Sequence, residues 1–170
     1  MHDSPGSSRT PPFAGRSLVA LAGWLALCFT AAASAFFVTT EGWYETLQKP
    51  AWNPPAWVFG PAWTLLYVMM AVAAWRVWRV GGWRTQSRAL VLFVAQWALN
   101  ALWTPLFFGL HRPDLAFAEI VALWCVLALT VRAFWRVERL AGALLVPYWA
   151  WVTFAAALNF TIWRLNSANG

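Results

Sequence analysis

The chain has 170 residues, of which 61% are hydrophobic and 11% charged, and its mean hydropathy is +0.56. Soluble domains hold about 45–50% apolar and 25% charged residues, so this composition excludes an ordinary soluble domain. The formal charge of +6 comes from twelve bases, eleven of them arginine, spread between apolar runs rather than gathered in one patch. That pattern sets membrane topology and gives no surface for nucleic acid.

In chain order, "MHDSPGSSRTPPFAG" (1–15) is rich in Pro, Gly and Ser and is expected to be a disordered tail. A single domain over 16–166 follows, with five apolar stretches: Leu18–Val38, Val58–Trp78, Leu90–Leu110, Leu115–Phe134 and Ala141–Ile162. At 1.5 Å per residue each is roughly 30–33 Å long, the thickness of a bilayer core. The first is too long for the apolar part of a signal peptide and is read as a span. Nothing alternates as a membrane β-strand would. The fold class is therefore an all-α integral membrane protein, a bundle of five transmembrane helices with lipid as its solvent.

Three connections are short: "GGWRTQSR", "HRPD" and "WRVERL". They make successive helices antiparallel neighbours. Only the link between the first two helices, about 39–57, is long. Arg9, Arg16, Arg76, Arg79, Arg84, Arg88, Arg132, Arg136 and Arg139 fall at the N-terminal side, against Lys49, Arg112 and Arg164 at the other. This bias places the N-terminus in the cytoplasm and the C-terminus outside, in a bacterial inner membrane. Trp57, Trp78, Trp83 and Trp135 suit an interfacial belt. Ala22/Ala26, Thr30/Ser34 and Ala31/Ala35 in the first helix have small-xxx-small spacing suited to a homodimer seam.

Inside the spans, three stripes stand out. Trp63, Tyr67, Met70 and Ala74 share a face of the second helix; Gln96, Asn100, Trp103 and Phe107 share one of the third; Trp151, Ala155, Asn159 and either Ile162 or Trp163 share one of the fifth. Polar amides in a bilayer must find partners, so Gln96, Asn100 and Asn159 face the interior. The stripes are either structural glue or the lining of an aromatic ligand pocket.

No span has an ionisable residue at its middle; Glu119 is placed near the end of the fourth. That disfavours ion-coupled pumps and channels. HExxH, GxSxG, P-loop and GxGxxG motifs are missing, and Cys28 and Cys125 have no metal-ligand spacing and read as small buried hydrophobes. No metal and no cofactor is called for. His111 reads as a surface loop residue.

"WYETLQKPAWNPPAWVFGPAWTLLYVMM" (43–70), "QWALNALWTPLFFGLHRP" (96–113) and "VPYWAWVTFAAALNFTIWRLN" (146–166) resemble the tryptophan-rich sensory protein (TspO) family, whose mitochondrial members are translocator proteins. The resemblance covers about 16–166 and is strongest to alphaproteobacterial members. It implies a five-helix bundle, commonly a homodimer, with a cavity beneath the first long loop that takes protoporphyrin IX and related tetrapyrroles. On the matched positions, Trp43 and Tyr44 lie in the loop over the cavity, and Lys49, Pro50, Trp52 and Pro55 belong to its lid. Trp63, Asn100, Trp151 and Ala155 line the pocket, joined by Tyr67, Gln96, Trp103, Phe107 and Asn159 from the stripes. The resemblance thus implies a tetrapyrrole-binding sensor or carrier. Two alternatives stand beside it: an enzyme degrading protoporphyrin with light and oxygen, in which Trp63 or Trp151 would react, and a passive transporter of tetrapyrroles or other small hydrophobic ligands. The cholesterol-recognition pattern of mitochondrial members does not occur here, since the next base after Tyr148 is Arg164, and this speaks against sterol binding.

Overall fold

The computed structural model describes residues 12–33 and 42–167. Every regular element among them is helical: α1 (Pro12–Ala33), the short α2 (Trp43–Thr46), α3 (Phe59–Thr104), α4 (Pro113–Val137) and α5 (Arg139–Asn166). A 3-10 turn at Ala56–Val58 leads into α3, and a π-turn at Pro105–Gly109 ends it. The expected tail lies outside the described residues over 1–11, and α1 is already helical from Pro12. The end of the first span, from residue 34, also lies outside them.

The second and third spans are the two arms of α3. Along a straight helix Tyr67 and Asn100 would stand about 50 Å apart, yet the Tyr67 hydroxyl donates to Asn100 Oδ1 at 3.3 Å. The chain therefore doubles back, and it does so at Gly81 and Gly82, with a further irregularity at Gln86 (φ −111°, ψ 20°). Gly82 has φ 61°, the left-handed region that a side chain resists. A Cβ on Gly81 would lie 1.9 Å from Thr85 Oγ1. The connection read from the sequence as a loop, "GGWRTQSR", is thus a helical elbow broken at single residues. Two adjacent glycines suffice to turn the chain, so the polar residues after them resume the helix.

The link between α4 and α5 is shorter still. Glu138 alone leaves the helical region (φ −155°, ψ 123°). Its carboxylate receives a fork from Arg76, with Nε at 2.8 Å from both oxygens and a terminal nitrogen also bonded. Gly142 lets the two helices close behind this turn, because a Cβ there would stand 2.8 Å from the backbone Cα of Trp135. At the other end of the bundle, Pro105 has no N–H to continue the helical ladder. The π-turn that follows is closed by the Leu110 N–H on Pro105 O at 2.9 Å.

α1 packs on α3, α3 on both α4 and α5, and α4 on α5. Trp75 Nε1 reaches back to Ser17 O at 2.8 Å, and Trp24 sets its edge on Phe93 at 5.5 Å. The core holds Met70, Ala74, Val77, Phe93, Leu127, Phe134 and Leu145, all fully buried. The outside is apolar too, with Leu18, Val19, Leu65 and Leu110 more than half exposed. A hydrocarbon solvent rather than water fits such a surface. Among the described residues, three helical stretches, Ala56–Gly109, Pro113–Val137 and Arg139–Asn166, are long and apolar enough to cross a membrane, the first of them twice once folded at its elbow.

One sequence expectation is corrected by this packing. Cys28 is buried, but Cys125 is exposed on the outer side of α4, and hydropathy does not separate the two environments. Glu119 is near the N-terminal end of α4, as expected, and is buried. It lies about 9 Å along the axis from Pro113, on the buried stripe of α4 with Ala116, Leu123 and Leu127, and both its carboxyl oxygens lack partners among the described residues.

Candidate functional site

Residues from both arms of α3 and from α5 meet in an aromatic box. Pro61 is tolerated in the first turn of α3, where its missing N–H has no helical acceptor. Trp63 follows and stacks on Tyr67 one turn later (5.3 Å, 27°). Across the bundle it meets Trp151 edge-on (6.4 Å, 83°) and Tyr148 likewise (6.1 Å, 62°). Trp151 is backed by Phe59 at 6.0 Å and Phe154 at 5.6 Å, with Ala155 half-buried beside it in the same core. Asn100 anchors the box from the second arm through its bond with Tyr67. Trp151 Nε1 and the Tyr148 hydroxyl are buried and make no hydrogen bond among the described residues.

A second cluster sits above the box. Trp103 and Phe107 stack at 4.9 Å, the π-turn having brought Phe107 and Phe108 round beneath the long loop. Trp103 Nε1 donates to Asn159 Oδ1 at 3.0 Å, and Asn159 Nδ2 donates to Pro113 O at 2.8 Å. One amide therefore ties the second arm of α3, the start of α4 and α5 together. Trp103 packs against both clusters and joins them.

The loop 42–58 closes the second cluster from outside. Gly42, at φ 84°, starts α2. Trp43 sits on Phe107 (5.7 Å) and stacks on His111 (4.3 Å, 18°); Tyr44 sits on Phe107 and Phe108. The Tyr44 hydroxyl donates to Asn53 Oδ1 at 3.2 Å, and burial raises its pKa against the opposing effect of that bond, keeping it a proton donor. Lys49 lies over the Tyr44 ring at 4.6 Å and donates to Glu45 O and Leu47 O. Pro50 accepts from the Asn53 N–H at 2.9 Å and Pro55 from the Val58 N–H at 3.0 Å, two turns set by residues that cannot continue a helix. Trp52 touches Phe154 at 5.8 Å. Beyond the rings, Gln48 and Asn166 exchange two hydrogen bonds, at 3.0 and 2.9 Å, so the loop is tied to the last turn of α5.

The sequence-derived residues thus divide. Trp63, Tyr67, Asn100, Trp151 and Ala155 form the box; Trp43, Tyr44, Trp103, Phe107 and Asn159 form the cluster above; Lys49, Pro50, Trp52 and Pro55 shape the loop. Gln96 joins neither: it is buried one turn from Asn100 with both amide atoms unpartnered among the described residues. Sequence reasoning passed over Tyr148, Phe154 and Phe59. Their spacing marks them, since Tyr148 and Phe154 flank Trp151 by three residues and Phe59 precedes Trp63 by four. It also passed over Glu119 as an interior group. Arg112 is paired with Asp114 (Nε–Oδ1 2.8 Å) rather than free to reach a ligand.

The family model described as "TspO/MBR family" matches residues 9–164. Over 154 residues the chain is 42% identical to "Protein CrtK" of Rhodobacter capsulatus, covering 88% of this chain and 94% of that protein. It is 44% identical over 143 residues to a "Tryptophan-rich sensory protein" of Cereibacter sphaeroides, covering 84% and 89%. It is 41% identical over 134 residues to the human "Translocator protein", covering 76% and 79%.

Proposed function

The chain belongs to the TspO/MBR family of membrane proteins, and from that premise we propose that it is a sensor or carrier that binds a flat, mostly apolar tetrapyrrole of the protoporphyrin type. The observation that supports this most is the box itself. Trp63 and Trp151, from different helices, face each other at 6.4 Å, with Trp151 Nε1 and the Tyr148 hydroxyl buried and unpartnered beside them. A planar ligand seated at the box can stack on the face of one indole while the other meets it edge-on. The Trp151 N–H and the Tyr148 hydroxyl then bond its polar edge, which removes the cost of leaving them unsatisfied. Entry runs beneath the loop 42–58. In this reading the arginine-rich end of the bundle faces the cytoplasm and the loop faces outward. The names of the relatives, a sensory protein and a translocator protein, fit a sensory or carrier role.

Titration of the purified chain with protoporphyrin IX, followed by tryptophan quenching and the shift of the Soret band, tests the proposal. Trp63→Ala and Trp151→Ala are each expected to weaken binding roughly ten-fold, a loss of about 1.4 kcal/mol. Trp57→Ala, at a side chain 75% exposed and away from the box, leaves binding unchanged. Equal affinity in wild type and both box variants would overturn the reading.

A further inference from the structure

At the end of the bundle remote from the loop, a groove of about 650 Å³ opens between the elbow of α3 and the last turns of α4. Arg88, Arg132 and Arg136 line it together with the side chains of Gln86 and Ser87. Arg132 and Arg136 are four residues apart on one face of α4, a like-charge pair that repels unless something negative sits between. None of the three forms an ion pair among the described residues. The acid beside them in the α4–α5 turn, Glu138, is taken up by Arg76. Three positive charges therefore share one concave surface without a counter-charge from the described chain, which concentrates anions there.

The rest of the lining tells which anion. Val91, Leu92 and Leu129 form an apolar wall continuous with the arginines, and Val91 and Leu129 are more than half exposed. Guanidinium groups bind phosphate oxygens in bidentate fashion. Gln86 and Ser87 add neutral donors. A soluble phosphate would use that polar half and have no use for the wall; a phospholipid uses both, with its headgroup among the arginines and an acyl chain along the wall. The groove also lies where the apolar spans give way to their charged ends.

We propose that this groove binds the phosphate headgroup of an anionic phospholipid, clasped by Arg88, Arg132 and Arg136, with an acyl chain along Val91, Leu92 and Leu129. The site is separate from the aromatic box and does not depend on what that box binds.

Native mass spectrometry of the full chain, released from detergent containing equal phosphatidylglycerol and phosphatidylcholine, tests it. Wild type should retain phosphatidylglycerol in preference. Arg132→Gln alone should cut that retention about five-fold, which is what about 1 kcal/mol per charge near a lipid surface gives. Replacing Arg88, Arg132 and Arg136 together by Gln should abolish the preference. Replacing Arg79, Arg84 and Arg139 by Gln removes the same charge outside the groove and should leave it intact. An equal loss in this second triple variant would reduce the effect to general charge and overturn the proposal. Displacement of phosphatidylglycerol by millimolar inorganic phosphate would overturn it too, assigning the groove to a soluble anion.

Discussion

Three buried amides look alike in the sequence and differ in what they hold. Asn159 bridges Trp103 and Pro113, Asn100 accepts from Tyr67, and Gln96 touches no polar partner among the described residues. Replacing a bonded amide leaves its partner buried and unsatisfied, whereas replacing an unpartnered one removes a desolvation penalty. Asn159→Leu is therefore expected to lower stability by about 1–3 kcal/mol, and Gln96→Leu to be neutral or stabilising, both read from unfolding midpoints in the same detergent. The rule that intramembrane amides face inward made all three legible as interior residues. It did not reveal which were paired, because pairing depends on which helices lie opposite. The same blindness applies to Glu119: a hydropathy profile sees one charge four residues into an apolar run, while its burial is decided by the rotation of α4. Tyr148 was passed over for another reason, since a tyrosine next to Trp149 and Trp151 carries no signal of its own until the stripe through Trp151 is extended both ways.

At the level of elements, spans are readable because lipid demands their length, and turns are not. The five apolar runs correspond to α1, the two arms of α3, α4 and α5. The elbow and the α4–α5 turn were expected as loops because their residues are polar, yet polar residues at a membrane surface can stay helical. What turns the chain is backbone geometry at Gly82 and close approach at Gly142. Gly82→Ala forces a side chain into the left-handed region and should cost roughly 1–2 kcal/mol. Gly142→Ala sets a methyl against backbone that cannot yield, with an overpacking cost of roughly 1–3 kcal/mol. Gly60 makes a control, because a Cβ there meets nothing within 4 Å; Gly60→Ala should be neutral or slightly stabilising. Thermal midpoints of the three variants in one detergent check the ordering. The π-turn at Pro105 was equally hidden: proline announces a disturbance in the helix but not its outcome, which here is to swing Phe107 and Phe108 beneath the loop.

For the whole molecule, the loop 42–58 is held by ring contacts and by the paired bonds between Gln48 and Asn166. Asn166→Ala removes that pair without touching the aromatic box. On the proposed reading, dissociation of protoporphyrin, timed by recovery of tryptophan fluorescence, should then quicken roughly five-fold, the effect of about 1 kcal/mol from two exposed bonds. The loop's aromatic content was plain from residues 43–63, but its tether to α5 joins positions 118 residues apart, and neither Gln48 nor Asn166 carries a motif. At the opposite end, the Arg76 fork on Glu138 and the close backbone contact at Gly142 clasp α3, α4 and α5 together. A bundle stitched shut at one mouth and merely draped at the other is a cul-de-sac. On the proposed reading, a ligand that enters under the loop is expected to leave on the same side, because a path through the other end would first have to break the Arg76–Glu138 pair.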